Sequence, residues 1–263
     1  SARVDSAMYI LRKTAPGRNS TFIKLNDIYE GHRYQKFNEI YESLTSDIDR
    51  KKGERVYFMD QQKLKIIDGW PFIYWISDEF REAFKVKVLK DEFKVATGLM
   101  TGNNNKFLRY WWETKNSRWV NYQKGGPFAK WHGNNWINVD WFNDGQNLAT
   151  TDNKFLYFSE GITYSASGSK GPSFRLISNK NVFDKGGACI FSLKKENLFY
   201  LLAILNSNLG LYSIKCLNPT VNTQKGDIER VPYHQASINL QSILEELVHQ
   251  NIELTKSWDK YSL

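Results

Sequence analysis

The chain has few of the residues that build disulfide frameworks or metal sites. It contains two cysteines in 263 residues, Cys189 and Cys216, and four histidines without ligand spacing. Two isolated cysteines make neither a disulfide framework nor a zinc site. No apolar run approaches the roughly 18 residues that suggest a membrane span, and the N-terminus lacks the apolar segment of a secretion signal. These absences predict a metal-free protein in the cytoplasm, without a membrane partner.

The usual signatures of catalysis are also missing. The sequence has no Gly-x-Ser-x-Gly elbow, no P-loop, no His-Glu-x-x-His pair and no Gly-x-Gly-x-x-Gly loop after a strand. Many Asp and Glu are present, but the sequence singles out no pair of them. We therefore predict no catalytic residue and no cofactor-binding residue in this chain.

Tryptophan, by contrast, is abundant and concentrated in residues 97–145. Six of the nine Trp lie there, beside Asn, Gly and Lys/Arg rather than Leu and Val. This composition suits a nucleic-acid surface, because bases stack on flat rings and phosphates attract cations. Trp also fills protein cores. From their neighbours, we assign Trp111, Trp112 and Trp141 mainly to packing, and we expect Trp131 and Trp136 to be exposed.

Positive charge is concentrated in the same part of the chain. The net charge is +8, and residues 97–235 contain 16 Lys/Arg against 9 Asp/Glu, whereas the remainder contains 20 against 19. A localised basic surface predicts a polyanionic partner that binds in a salt-dependent way. The alternative is a solvated basic surface without a partner.

Hydrophobic periodicity predicts an α+β fold, with a mixed β-rich recognition region flanked by helices and a C-terminal helical segment. Predicted strands cover residues 4–13, 21–25, 56–59, 174–177 and 188–192, the last two around a turn at 185–187, and a short extended piece covers 228–232. Predicted helices cover residues 36–52, 61–67, 78–85, 196–205, 209–214 and 238–257. The first two strands look like a hairpin whose sheet partners lie outside the sequence. We therefore expect the chain to be a piece of a longer protein.

Several motifs occur in one order along most of the chain. The longest is GLMTGNNNKFLRYWWE at residues 98–113. The others are KGG at 124–126, KW at 130–131, Trp141 with NDG at 143–145, EGITYS at 160–165, LNS at 205–207, LNPT at 217–220, GDI at 226–228 and VP at 231–232. Together they resemble the C-terminal part of the PglX-type adenine-specific DNA methyltransferases of BREX phage-defence systems. Type IIL restriction-modification enzymes are similar.

The resemblance implies a division of the chain into four regions. Residues 1–30 would end the sheet of an upstream catalytic domain, 31–96 would form a helical connector, 97–195 a β-rich target-recognition region, and 196–263 a C-terminal helical region. In that family the N-terminal half binds S-adenosylmethionine and carries an Asn-Pro-Pro-aromatic motif. This chain departs from the family there, because its nearest sequence, Asn218-Pro219-Thr220, lacks the second proline and the aromatic residue.

The resulting hypothesis is sequence-specific recognition of double-stranded DNA for an adenine-N6 DNA methyltransferase of a restriction-modification or BREX system. The catalytic domain and its S-adenosylmethionine would lie outside this sequence, so enzymatic activity stays unassigned here. Other phage-defence subunits are possible partners. One alternative is a stand-alone DNA-specificity or docking subunit, and another is an aromatic carbohydrate-binding module.

Eight residues of the basic region are predicted to contact DNA. Asn amides can bond adenine edges, and Arg and Lys bind guanine or phosphate. Lys106 and Arg109 would share one face if a helix begins there, although Arg109 has an alternative ion pair with Glu113. The predicted contacts are Asn104, Asn105, Lys106, Arg109, Lys124, Lys130, Lys170 and Arg175.

Overall fold

The computed structural model describes residues 8–10, 13, 19–46, 55–194 and 197–259. The chain divides into two compact units, Ser1–Lys85 and Val86–Leu263. Most of the strand predicted at 4–13 lies outside the described residues, and Met8, Tyr9 and Ile10 have no regular structure. The end of the helix predicted at 36–52 also lies outside them, from residue 47 onward.

The first unit contains a two-stranded sheet and one long helix. Strand β1 (Ser20–Ile23) pairs antiparallel with β2 (Val56–Met59), which confirms both predicted strands. The predicted hairpin between β1 and residues 4–13 lies mostly outside the described residues. Helix α1 (Arg33–Thr45) buries only Ile40. A 3-10 helix (Gln61–Ile66) follows β2.

Helix α2 (Asp78–Glu82) ends the first unit, followed by a 3-10 turn (Ala83–Lys85). It begins where the sequence predicts, because the Ser77 hydroxyl accepts a hydrogen bond from the Phe80 amide at 3.1 Å.

The second unit is built on two four-stranded sheets. Their strands are β3 (Phe93–Ala96), β5 (Leu108–Tyr110), β6 (Trp119–Gln123), β7 (Ile137–Asp140), β9 (Gly161–Tyr164), β10 (Phe174–Ile177), β11 (Asn181–Phe183) and β12 (Cys189–Ser192). The first sheet is antiparallel and has the order β10-β9-β12-β3, and the second has the order β11-β6-β7-β5, with β11 parallel to β6. A short pair, β4 (Leu99–Met100) and β8 (Thr150–Thr151), joins them. The mixture of sheets and helices confirms the α+β class.

The pairing of β10 and β12 differs from the sequence prediction. Both strands exist as predicted, but they are not neighbours, because β9 lies between them. The segment between them forms β11, which joins the other sheet. Apolar residues from both sheets share one buried cluster, which includes Tyr122, Val139, Phe183 and Cys189. The chain therefore crosses between the sheets and packs them on a common core.

Close packing of the two sheets requires glycine at one crossing. A Cβ atom at Gly98 would lie 1.9 Å from the carbonyl oxygen of Phe183. No side chain fits at that distance, so the turn between β3 and β4 depends on glycine.

Helices surround the sheets of the second unit. Besides the short α3 (Asn104–Phe107), they are α4 (Leu198–Asn206), α5 (Asn208–Leu217), α6 (Lys225–Glu229) and α7 (Ile238–Trp258). The sequence predicted an extended piece at 228–232, which is wrong at its start because helix α6 runs to Glu229. At the end of that piece, Pro232 forms an antiparallel β-bridge with Val88. Within the described ranges, no helix has the length and apolar character that a membrane crossing needs.

The outer edge of β10 is covered by a side-chain amide from α4. Asn206 Nδ2 donates to the Phe174 carbonyl at 3.0 Å, and Asn206 Oδ1 accepts from the Phe174 amide at 3.1 Å. The Trp131 amide also donates to the Phe174 carbonyl, at 2.9 Å. Loop, strand and helix are thus joined at one residue.

Candidate nucleic-acid interface

One face of the sheet β11-β6-β7-β5 is polar. Cross-strand pairing places Asn181 beside Asn121, Asn121 beside Asn138, and Asn138 beside Arg109. Side chains alternate along a strand, so the neighbouring residues Val120, Tyr122, Val139 and Val182 point the other way. We call the first side the polar face, and its residues are Arg109, Trp119, Asn121, Asn138, Asp140 and Asn181.

A basic side chain offsets the one acid on the polar face. Arg118 Nε donates to Asp140 Oδ1 at 2.7 Å. That hydrogen bond holds the pKa of the Asp140 carboxyl below its usual value. Asp140 is therefore ionised at neutral pH, and the charge of Arg118 balances it.

Arg109 lies on the polar face as an exposed cation. One of its terminal nitrogens donates to the carbonyl oxygens of Asn105 at 2.8 Å and Leu108 at 2.6 Å. Its guanidinium carbon lies 5.7 Å from the centre of the Trp119 ring. The alternative ion pair with Glu113 does not form between these two described residues, and Glu113 instead accepts a hydrogen bond from the Tyr110 amide at 2.7 Å.

The local structure at Arg109 differs from the prediction in one respect. Helix α3 ends at Phe107, and Arg109 belongs to strand β5. Lys106 and Arg109 therefore do not share a helix face. Lys106 is exposed, with its ammonium 5.0 Å from the Phe107 ring. Asn103 begins the helix by accepting from the Lys106 amide at 3.1 Å.

The structure brings together two predicted contacts that lie 20 residues apart in the chain. The Asn104 side-chain oxygen accepts from Lys124 Nζ at 3.0 Å and from the Thr101 hydroxyl at 2.6 Å. Asn104 and Asn105 are both exposed. Among the described residues, Lys106, Arg109 and Lys124 form no ion pair. Their charges are therefore not paired with a carboxylate, although Arg109 is close enough to Asp140 to help lower the pKa of its carboxyl.

Lys185 joins this cluster, although the sequence prediction did not include it. The Lys185 amide donates to the Leu99 carbonyl at 2.9 Å, and its side chain is exposed. The loop after β11 also lies against the loop after β6, since a Cβ at Gly187 would be 2.7 Å from the Gly125 nitrogen. A lysine before two glycines in each loop was the available signal. We call Lys106, Arg109, Lys124 and Lys185 the basic set.

Arg175 is buried, which corrects its predicted DNA contact. It is 1% exposed. Its guanidinium donates to the carbonyls of Gly125 at 2.9 Å and Ala129 at 3.0 Å, and to the Ser165 hydroxyl at 3.1 Å. Burial lowers the pKa of Arg175 to about 10. The residue therefore holds the β6–β7 loop in place from within.

Two predicted lysines have different surroundings. Lys130 Nζ donates to the Asn206 carbonyl at 2.8 Å, and burial lowers the pKa of its ammonium. That ammonium is half-buried and bonded within the protein, so the structure does not favour a DNA contact of Lys130. Lys170 is exposed, and its ammonium lies 5.6 Å from the Phe128 ring.

The exposure of the tryptophans differs from the sequence prediction. Trp112 is 47% exposed, and its ring stacks on Tyr110 with a centroid distance of 4.6 Å and an interplanar angle of 2°. Trp131 and Trp136, which were expected at the surface, are half-buried. The exposed aromatic pair is therefore at the end of β5.

Two depressions meet at Asn121 on the polar face. An open groove of about 420 Å³ is lined by Trp111, Thr114, Lys115, Asn116, Ser117, Trp119, Asn121 and Asn138. A deeper cavity of about 660 Å³ includes Asn121, Trp131, His132, Phe199 and Lys256. Across the described part of the chain, no group of His, Cys, Asp and Glu has the arrangement of a metal site.

Comparison with known proteins finds two relatives of this chain. It is 32% identical over 219 residues to the adenine-specific methyltransferase BrxX of Escherichia coli O9:H4 (strain HS), covering 76% of this chain and 18% of that protein. It is 26% identical over 277 residues to the adenine-specific methyltransferase PglX of Lacticaseibacillus casei (strain Zhang), covering 89% and 23%. No protein-family model matches the chain.

Among solved structures, the HsdS subunit from Thermoanaerobacter tengcongensis aligns with 66% of this chain and 39% of its own, at 10% identity and a TM-score of 0.37. That TM-score is too low to establish a shared fold. The chain spans about a fifth of the length of the curated relatives. It is homologous to one part of the BrxX and PglX adenine-specific methyltransferases, which confirms the resemblance of its motifs.

Proposed function

We propose that this chain recognises a specific sequence in double-stranded DNA for an adenine-N6 DNA methyltransferase of a BREX or restriction-modification system. The observation that carries the proposal is homology to about a fifth of two adenine-specific methyltransferases, in a chain with exposed cations and no catalytic motif. Such an enzyme must locate its target base before it acts on it. The part without catalytic residues is the natural place for that recognition.

In this proposal the basic set contacts the DNA backbone. Within the part of the chain that the structure describes, Lys106, Arg109 and Lys124 pair with no carboxylate, so each can pair with a phosphate. Asn104 and Asn105 lie beside these cations, and Lys170 extends the basic surface. Lys130 and Arg175 are left out of the interface, because both are engaged within the protein.

The chemical step is assigned to a domain outside this sequence. That domain would bind S-adenosylmethionine and receive an adenine taken out of the duplex, which costs a few kcal/mol of unstacking. Contacts from this chain would offset part of that cost. We keep residues 97–195 as the target-recognition region and 196–263 as the C-terminal helical region. The complex would act in the cytoplasm, with other subunits of the defence system as further partners.

The test is the salt dependence of binding. The full chain is titrated against a fluorescent duplex at several salt concentrations, and the slope of log K against log salt is measured by anisotropy. If each of Lys106, Arg109 and Lys124 contacts one phosphate, replacing all three by Gln reduces the magnitude of the slope by about 2.7, from about 0.9 per contact.

A matched control replaces three lysines of the first unit by Gln. Lys36, Lys63 and Lys85 each pair with a carboxylate, so we expect the control slope to stay that of the wild type. Absent or salt-independent binding refutes the proposed function. Retention on a polysaccharide column instead of DNA binding indicates the carbohydrate-binding alternative.

An exposed apolar stripe on α7 favours the docking-subunit alternative. Leu240, Ile243, Leu247 and Leu254 are each about half exposed, on one long helix. Such a stripe suits contact with another protein. Docking alone predicts that the chain does not bind DNA, so the same titration separates the two functions.

A further inference from the structure

The polar face contains one buried hydrogen-bond acceptor without a partner. Asn138 is 8% exposed, and its Oδ1 atom accepts no hydrogen bond. Buried polar atoms are nearly always paired, so an unpaired one calls for an explanation. Asn138 also lines the open groove between Trp111 and Trp119. The groove therefore reaches the Asn138 side chain.

The hydrogen-bond network determines which Asn138 atom is unpaired. The Thr114 hydroxyl donates its only hydrogen to the Trp111 carbonyl at 2.8 Å. Thr114 Oγ1 can then only accept from Asn138, whose nearer atom lies at 2.7 Å. With the hydroxyl hydrogen directed to Trp111, that atom is assigned as Nδ2, because an oxygen there would meet another oxygen without a hydrogen between them. Oδ1 is consequently directed away from Thr114 as an acceptor.

The surroundings of this acceptor suit a nucleobase. Trp111 and Trp119 offer indole rings, Asn121 offers a second amide, and Lys115 lies at the rim. Arg109 and Asn121 flank Asn138 on the neighbouring strands. Because Oδ1 is covered, a base edge reaches it only when a neighbouring side chain moves, and Arg109 on the adjacent strand is exposed. The groove is open, which suits a base edge better than an enclosed base.

We propose that Asn138 reads an amino group on a base edge in the major groove of the DNA. This inference rests on the proposed function and names a residue that determines its specificity. The amino groups at that edge are adenine N6 and cytosine N4, whereas guanine and thymine present keto oxygens there. Oδ1 accepts from the first pair and is repelled by the second.

The orientation of Asn138 leaves a donor beside the acceptor. Asn usually selects adenine with two bonds, donating to N7 and accepting from N6. Nδ2 carries two hydrogens, of which Thr114 takes one. The acceptor bonds the amino group of adenine or cytosine, and the second Nδ2 hydrogen can add a bond to N7 where the base is adenine. The recognised site therefore contains a position that takes adenine or cytosine but not guanine or thymine.

The experiment begins with selection of bound sequences from a randomised duplex library by the full wild-type chain. In the selected duplex, each adenine is then replaced by purine, and each cytosine by 2-pyrimidinone, which lack the amino group. At one position we expect affinity to fall about five- to tenfold, the effect of one buried hydrogen bond. Asn138→Ala should be insensitive to that replacement, while Asn239→Ala, an exposed Asn on α7, should behave as the wild type.

The outcomes separate this inference from the proposed function. Salt-dependent duplex binding without any position that needs an amino group overturns the role of Asn138 and leaves DNA binding intact. Equal sensitivity in Asn138→Ala also overturns it. Failure to bind any duplex refutes the proposed function itself. Even if Asn138→Ala does not fold, the wild-type series overturns the inference when no position needs an amino group.

Discussion

Replacing Arg175 by Met tests whether the β6–β7 loop depends on a buried cation. Met keeps much of the length and apolar character of the side chain but donates no hydrogen bonds. The substitution removes the donors to Gly125, Ala129 and Ser165. The Gly125 carbonyl keeps a second donor, Asn134 Nδ2, at 2.6 Å. The Ala129 carbonyl loses its Arg175 donor.

The expected loss of stability follows from opposing contributions. Hydrogen bonds to a charged group contribute about 1.5–3 kcal/mol each. Against them stands the cost of burying the guanidinium, which is several kcal/mol per ion, and the lowered pKa of Arg175 reflects that cost. At a pKa of about 10 the side chain is still charged at neutral pH. We expect a net loss of about 2–4 kcal/mol in the free energy of unfolding.

Urea unfolding of the full chain measures this loss, and hydrogen exchange of the loop amides between β6 and β7 shows where it arises. Lys170→Met is the matched control, because Lys170 is exposed and should change stability by less than about 0.5 kcal/mol. Arg175→Lys should fall between the two, since one ammonium cannot reproduce the fork of a guanidinium. A loss below about 1 kcal/mol in Arg175→Met, with unchanged loop exchange, would show that the buried cation does not hold the loop.

Two further predictions concern the same part of the structure. Gly187→Ala should lower the free energy of unfolding by about 1–3 kcal/mol, because its Cβ would lie 2.7 Å from the Gly125 nitrogen. Gly168→Ala is the control, because Gly168 has open space around it. Thermal unfolding compares the two variants, and equal melting temperatures would contradict the close packing at Gly187. His132 should make the protein acid-sensitive, because burial lowers its pKa below 6.5 although Asp259 partly opposes the shift. The unfolded state then takes up the proton first, so stability is full above pH 6.5 and declines as pH falls toward the folded pKa. His132→Gln should flatten that decline in urea titrations at successive pH values, and an unchanged decline would assign it to other groups.

Local chemistry made most of the elements predictable. Asn197 caps the start of helix α4, where its side chain accepts from two amides, and Ser207 caps the start of α5. The polar residues before each apolar run indicate both starts. The pairing of strands was not predictable, because it joins segments far apart in the chain, as β12 does with β3. Helix α6 was missed although a signal existed. Asp227 accepts from the Gln224 amide at 2.7 Å, which is the spacing of a capping box.

For the candidate site too, local features could be predicted from the sequence, whereas contacts between distant segments could not. The sequence predicted that Asn104 and Lys124 are functional, but only the fold shows that they touch. Arg175 is the opposite case. It lies between Phe174 and Leu176 in a strand with apolar residues on both faces, and that setting was a signal for burial. The charge of a residue was readable from the sequence, whereas its accessibility depended on the strand around it.

The amide of Asn206 has a consequence for how the protein behaves at high concentration. An exposed edge strand offers unpaired backbone groups to any other chain, which is a common route to aggregation. At Phe174 both backbone groups are already occupied, by a side chain that imitates a peptide unit. A second strand has no place to begin pairing there. The sheet is therefore closed to extension at Phe174 without a fifth strand or an edge lysine.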